Sequence, residues 1–231
     1  MANFDIEKYN HYKNIYMIGV DEVGRGSWAG PIVATSCWID FEKHKLLSSD
    51  INDSKQLSPK KRNKIVLSLN KCVKFSSAIS TAREIDHYGL TLANFMAMKR
   101  SLYSLFEFFN NLLTKNNKNF NVYIDGNKAP NFCNVDITLK TDKLLNLQSH
   151  VIHSLVKGDN KSKTIALASI IAKETRDSIM RNYSIKYPEY NFNQHFGYGT
   201  EKHSKALLKF GITPIHRKSF KPISTIYGGL K

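Results

Sequence analysis

Residues 15–31 read Ile15-Tyr16-Met17-Ile18-Gly19-Val20-Asp21-Glu22-Val23-Gly24-Arg25-Gly26-Ser27-Trp28-Ala29-Gly30-Pro31. The apolar run Ile15 to Val20 has the length and residue types of a buried β-strand. It delivers two adjacent carboxylates, Asp21 and Glu22, into a turn punctuated by glycine. Hard divalent cations take carboxylate oxygens as ligands. Glycines flanking an arginine let a backbone come close to a phosphate or a sugar. A metal beside a nucleic-acid backbone is the first chemistry this stretch suggests. Neighbouring strand side chains point to opposite faces. Either the strand ends at Asp21, with Gly24 turning the chain, or Glu22 is simply solvated.

Working outward, further strands are expected at Ile32 to Ile39, Val73 to Ile79, Asn121 to Ile124 and within His150 to Val156. Ser58-Pro59 is a helix start, a capping hydroxyl followed by proline at the first helical position. Ile65 and Leu69 then sit four apart on one face of that helix. Phe95, Met98, Leu102, Leu105, Phe109 and Leu112 recur at helical spacing and predict a long helix over about 90–113. A second long helix is expected over 163–183, where Ala166, Ala168, Ser169 and Ala172 are small enough for close packing on a sheet. Glu201 to Phe210 reads as a short final helix stopped by Gly211 and Pro214. Two early β-runs followed by alternating helix and strand indicate an α/β domain with a mixed sheet. After Tyr187 the texture changes to Asn, His, Gly and Tyr between short basic helices. The expected division is a catalytic domain over 1–187 and a helical substrate-binding appendage over 188–231.

The chain has 231 residues, with 34 Lys and Arg against 19 Asp and Glu, a formal net charge of +15. That length buries a sizeable core, and that charge favours polyanionic partners. A compositional bias toward lysine and asparagine is the plainer account. The three cysteines, Cys37, Cys72 and Cys133, form no C-x-x-C pair, and Cys37 and Cys72, in or beside apolar strand-like runs, read as buried reduced thiols. No signal peptide and no apolar stretch of membrane-spanning length are evident. A cytoplasmic protein is expected, and a monomer, since nothing suggests a coiled coil.

Asp125, in Val122-Tyr123-Ile124-Asp125-Gly126-Asn127, ends another strand, and Asp159 stands just ahead of a helix. Carboxylates at the ends of neighbouring strands can converge on one point and hold Mg²⁺ or Mn²⁺. Each has a structural alternative: Asp125 as the turn residue of Asp-Gly, Asp159 as a helix cap. Gly24-x-Gly26-x-x-x-Gly30 misses the dinucleotide-binding spacing, and an apolar strand follows it rather than a helix. Zinc spacing and a G-x-S-x-G motif are absent.

These motifs, taken in order, resemble ribonuclease HII. They are Asp21-Glu22-Val23-Gly24-Arg25-Gly26 with Gly30-Pro31, Asp53-Ser54-Lys55-Gln56-Leu57-Ser58, Asp125-Gly126-Asn127, and Lys157-Gly158-Asp159-x-Lys161-Ser162-Lys163. Ala168 to Lys173 with Arg176-Asp177, then Gly197-Tyr198, then Pro214-Ile215-His216-Arg217 complete the series over about residues 15 to 220. The resemblance implies an RNase H-like mixed sheet flanked by helices, with the small helical C-terminal appendage. It implies a metal-dependent endonuclease that cuts RNA in RNA–DNA hybrids. Incision 5′ of single ribonucleotides in duplex DNA, leaving 3′-hydroxyl and 5′-phosphate, is implied as well. By motif, Asp21, Glu22, Asp125 and Asp159 would be the metal-binding carboxylates. Gly24, Arg25 and Gly26 would read the 2′-hydroxyl that distinguishes ribose. Tyr198 would pack on the following sugar, and Lys55 would hold a phosphate.

Asp125 and Asp159 stand 34 positions apart, with the lysine- and asparagine-rich stretch Lys128 to Gln148 between them. Asp177 is therefore a reserve for the fourth acid, and otherwise a supporting or surface charge. The Gly-Arg-Gly form differs from the Gly-Lys-Gly of type HIII, and about 14 residues ahead of the first strand leave no room for that type's N-terminal domain. Two other classes stay open: a catalytically inactive hybrid-binding protein of the same fold, and a related nuclease such as a junction resolvase.

Overall fold

The computed structural model describes residues 5–48, 50–51, 57–69, 72–116, 120–132, 135 and 151–228. Its strands are β1 (Tyr16–Val23), β2 (Ile32–Ile39), β3 (Val73–Ser80), β4 (Phe120–Asp125) and β5 (Val151–Leu155). They form one sheet in the order β3-β2-β1-β4-β5. β1 is central, antiparallel to β2 and parallel to β4. β3 pairs antiparallel with β2, and β5 parallel with β4. The mixed sheet is the one expected. β1 does not end at Asp21, however. Asp21, Glu22 and Val23 keep their register with Thr35, Ala34 and Val33 of β2, so the ladder carries the strand to Val23.

The helices are α1 (Asp5–Tyr12), α2 (Pro59–Ser68), α3 (Ala82–Tyr88), α4 (Leu90–Asn116), α5 (Gly158–Lys161), α6 (Lys163–Lys186), α7 (Phe192–His195), α8 (Glu201–Phe210) and α9 (Ile223–Gly228). α4 covers one face of the sheet. There Ile18, Val20, Val122 and Ile124 share a core with Met98, Leu102 and Phe106. α6 lies on the other face, where Ala166, Ala168, Ile170 and Ile171 pack with Cys37 and Ile39. The small residues of α6 do what their size suggested. Gly19 is the matching device on β1, since a Cβ there would lie 2.7 Å from Ile165 N and 2.8 Å from Thr164 C. Only glycine allows α6 this close.

Ser58 caps α2 with Pro59 in its first turn, as expected, its hydroxyl accepting from Lys61 N. Among the described residues α1 and α3 escape the sequence reading, as do the short α5, α7 and α9. α1 has no regular apolar spacing, and α3 is seven residues held by a Thr81–Glu84 capping box. Lys55 and most of the stretch from Lys128 to Gln148 lie outside the described residues. Among the described residues no helix is long and apolar enough to cross a membrane.

A third cluster joins Ala29 and Met180 to Tyr190, Phe192, Ala206, Leu207, Ile215 and Ile223, so the C-terminal segment packs on α6 and on the turn after β1. His195, His203 and His216 are buried with it. Burial lowers the pKa of His203 to about 4 and, helped by the His203 charge, that of His216 to about 3. The sign follows directly. The unfolded chain binds these protons below about pH 6.5 and the folded chain does not until near pH 4. Stability is fully present above pH 6.5 and falls as pH drops toward 4, by up to about 1.4 kcal/mol per pH unit for each histidine. Asp21 and Glu22, whose pKa values are raised, offset part of this. The check is therefore a difference: His216→Asn should flatten the slope of unfolding free energy against pH between 6.5 and 4. An unchanged slope would mean that His216 is protonated in the folded protein.

Candidate active site

Asp21 and Glu22 leave β1 on opposite faces, and both faces are used. Asp21 points toward α6, where it is hydrogen-bonded by Ser169, and it also accepts from Glu22 N at 2.8 Å. Glu22 points toward α4 and is hydrogen-bonded by Asn94. Its side chain is only 12% exposed and meets Arg25 Nη1 at 3.2 Å. The simply solvated reading of Glu22 is thereby set aside. Asp125, the last residue of β4, sits one step beyond the Val20–Ile124 pair. Its Oδ1 accepts from Gly158 N at 2.7 Å, so the carboxylate reaches across to α5.

Asp159 follows Gly158 and is buried at 2% exposure. It is not the cap of the long helix. Ser162 is, its hydroxyl accepting from Ile165 N. Asp177, the reserve, is fully buried two turns further along α6 than Ser169. It pairs with Arg62 Nη2 at 3.0 Å and with Lys173, which ties α2 to α6.

The electrostatics show how closely the first three acids interact. Burial raises the Asp21 pKa well above the usual carboxylate range, and the charges of Glu22 and Asp125 push it further the same way. Burial likewise raises Glu22, with Arg25 opposing and Asp125 adding to the shift. Among the described residues no three His, Cys, Asp or Glu side chains meet as a ready-made metal cage. The donor set nevertheless fits a hard cation: all oxygen, buried, and mutually repelling until a positive charge neutralises it.

Behind Gly24–Pro31 lie two buried arginines, Arg176 and Arg217, which among the described residues form no ion pair with a carboxylate. Arg217 donates to the carbonyls of Gly24 (2.6 Å), Arg25 (2.7 Å) and Gly30 (3.1 and 3.0 Å). Arg176 donates to Pro31 O, Phe196 O, Ala29 O and Ser27 Oγ. Burial and the neighbouring Arg176 charge lower the Arg217 pKa to about 9, which still leaves it charged at pH 7. Gly24 must be glycine: its φ is +93°, and a Cβ would stand 2.2 Å from Arg176 Nε. Gly26 is open instead, with nothing within 4 Å of a Cβ position.

The turn bearing Tyr198 is sewn to the same place, because Trp28 N and Ala29 N both donate to Gly197 O. Tyr198 is 37% exposed, and the Arg176 guanidinium lies 5.3 Å from its ring centre. Beyond Arg217 a groove of about 1020 Å³ carries Arg83, His87 and Lys218 on its walls. A cavity of about 270 Å³, between α1 and Phe41, lies at the far end of β1 from the carboxylates.

The ribonuclease HII family profile matches residues 18–223. The chain belongs to the ribonuclease HII family. Membership makes it an endoribonuclease of the ribonuclease H class. Among its relatives, ribonuclease HII of Ehrlichia ruminantium (strain Welgevonden) is 40% identical, covering 98% of this chain and 97% of its own. Ribonuclease HII of Clostridioides difficile (strain 630) is 40% identical over 89% of this chain and 70% of its own. The ribonuclease H2 of Pyrococcus horikoshii superposes with a TM-score of 0.64 at 25% identity, over 93% of this chain and 98% of its own. A type HIII enzyme, Bst-RNase HIII in complex with Mn²⁺, shares the fold with a TM-score of 0.68 at 18% identity, over 94% and 71%.

The structure thus brings Asp21, Glu22 and Asp125 together at the C-terminal ends of the adjacent strands β1 and β4, with Gly158 N on Asp125 and Asp159 next in the chain, and Gly24 to Gly26 with Tyr198 beside them. Arg176, Arg217 and Asn94 are residues that the sequence reading gave no role, and Ser169 was read only for its small size. Arg176 and Arg217 stood inside quoted motifs of this ribonuclease HII family member, which is the signal that could have found them. Asn94 had none.

Proposed function

We propose that the protein is a metal-dependent endonuclease that cuts RNA in RNA–DNA hybrids and incises 5′ of single ribonucleotides in duplex DNA, leaving 3′-hydroxyl and 5′-phosphate. One observation carries this reading: the carboxylates converge beside a glycine turn whose carbonyls are pinned from behind, leaving its open side at Gly26 toward solvent. Asp21, Glu22, Asp125 and Asp159 would hold Mg²⁺ or Mn²⁺. Bound there, the metal supplies an activated water and neutralises charge at the phosphate. Asp159 is preferred over Asp177 as the fourth acid, because Asp177 is already engaged by Arg62 and Lys173.

Gly24, Arg25 and Gly26 read the ribose 2′-hydroxyl, which serves as both donor and acceptor. Tyr198 packs on the next sugar, and Lys55 holds a phosphate. Residues 188–231 form the substrate-binding appendage to a catalytic domain over 1–187, and the groove lined by Arg83, Lys218 and Asp86 lies between the two. The proposed state is a monomer. The buried, free thiol of Cys37 suits a reducing cytoplasm.

The test is cleavage of an end-labelled duplex holding one ribonucleotide, with Mg²⁺, Mn²⁺ or EDTA, beside all-DNA and RNA–DNA hybrid controls. A metal-dependent nick 5′ to the ribonucleotide, absent from all-DNA, is the expected result. Cutting of the long hybrid alone would remove the junction-reading role. In the same assay Tyr198→Ala should lower incision at the single ribonucleotide about tenfold, the size of one stacking contact, with little change in duplex affinity. Equal losses in both would make Tyr198 merely structural.

A further inference from the structure

The three buried histidines have hydrogen bonds that settle where each proton sits. The Thr213 amide donates to His216 Nδ1 at 2.8 Å. An amide N–H only donates, so His216 Nδ1 is bare and its proton is on Nε2. That Nε2 faces His203 Nε2 at 3.0 Å. His203 Nε2 must accept, which leaves its own proton on Nδ1, 3.0 Å from the Tyr198 carbonyl. Both rings are neutral at pH 7, their pKa values lying at about 4 and about 3. His195 is fixed separately. Gly197 N donates to its Nδ1 at 3.2 Å, leaving Nε2–H for the Tyr190 carbonyl at 2.7 Å. Its ring stacks on that of His203 with centres 4.6 Å apart.

The chain Thr213, His216, His203, Tyr198 therefore runs in one direction and has main-chain groups at both ends. Its first end belongs to the segment whose Arg217 grips Gly24, Arg25 and Gly30. His216 itself bridges Ala29. Its second end is the residue proposed to pack on the sugar. The other main-chain hydrogen bonds of Tyr198 stay inside its own turn, to His195 O and from Thr200 N, while its neighbour Gly197 O accepts from Trp28 N and Ala29 N. His203 adds a strut that refers this turn to the segment clamping Gly24–Gly26.

We propose that His203 and His216 are positioning residues, which fix the Tyr198 main chain relative to the Gly24–Gly26 turn and so set the preference for an isolated ribonucleotide over a long hybrid. This rests on the role proposed above for Tyr198. Reading a ribose and its neighbouring sugar together needs both contacts at a set separation, and misplacement by about 1 Å costs as much as a hundredfold in rate.

The test pairs a spectrum with a cleavage ratio. In ¹⁵N-labelled full-length protein at pH 7, His203 should appear as the Nδ1–H form and His195 and His216 as Nε2–H. An Nε2–H or doubly protonated His203 overturns the proposal whatever the enzyme cleaves. In the cleavage arm, His203→Ala and His203→Gln should lower the ratio of single-ribonucleotide to hybrid cleavage about tenfold. His203→Asn, whose amide nitrogen stands near the place of Nδ1, should restore most of it. In a Tyr198→Ala background His203→Ala should change the ratio no further. Proportional loss of both activities in every variant, with effects that multiply in the double variant, would reduce the histidines to a stability role. If the wild type does not incise single ribonucleotides, the functional reading falls and this role with it. If it does and His203→Ala is equally selective, only the positioning role falls.

Discussion

Asp125→Asn should lower cleavage by at least about a hundredfold, the usual cost of losing one electrostatic element at a reacting centre. Binding of an RNA–DNA hybrid should hold or tighten. The substitution is nearly isosteric, and its carbonyl oxygen can still accept from Gly158 N, as Asp125 Oδ1 does at 2.7 Å. Local structure should therefore survive. What disappears is one negative charge from a cluster in which burial and mutual repulsion already raise Asp21 and Glu22. A phosphate approaching that cluster meets less repulsion, which is why affinity need not fall with turnover. Single-turnover cleavage with Mg²⁺ or Mn²⁺, run beside a filter-binding titration in EDTA, separates the two. Full turnover by the variant would take Asp125 out of the metal site. Loss of binding and cleavage together would mark it as a structural residue.

Arg217→Met should destabilise the fold by on the order of 3 kcal/mol and disable reading of the ribonucleotide. Four hydrogen bonds from one charged guanidinium are lost, and the carbonyls of Gly24, Arg25 and Gly30 lose that partner. Bonds to a charged group are worth about 1.5–3 kcal/mol each. Relief of a buried charge offsets part of the gross loss. Arg217→Lys should recover less than half, because a single ammonium cannot reproduce a planar fork that serves three carbonyls. Denaturant unfolding measures the first effect, and the ratio of single-ribonucleotide to hybrid cleavage measures the second. If Arg217→Met melts like the wild type and keeps its ratio, the clamp does not hold the turn.

Asp21, Glu22 and Asp125 were legible in the sequence because a carboxylate at the end of an apolar run, next to glycine, has few structural explanations. The close packing of α6 could be read from Ala166, Ala168 and Ala172, since small side chains clustered in the first half of a helix let it approach a sheet closely. The continuation of β1 through Glu22 could not be read, because the ladder to β2 is a pairing between distant segments and leaves no mark on either alone. Arg176 and Arg217 illustrate the same limit. Each satisfies main-chain carbonyls, and every residue type offers a carbonyl, so no partner residue betrays the contact. α1 was missed because its tie to the start of α6 is polar: Glu7 accepts from Ser162 Oγ and Thr164 N rather than presenting an apolar stripe.

Two guanidinium charges sealed beneath the Gly24–Pro31 turn have a consequence for affinity at different ionic strengths. Surface lysines lose their pull on a nucleic acid as dissolved ions screen them over about 10 Å at 0.1 M. Arg176 and Arg217 are both fully buried, and their field reaches the turn through protein of low polarisability rather than through electrolyte. General attraction to the duplex should fade in concentrated salt, while the local pull toward the ribonucleotide persists. Discrimination should then sharpen under conditions in which overall binding weakens.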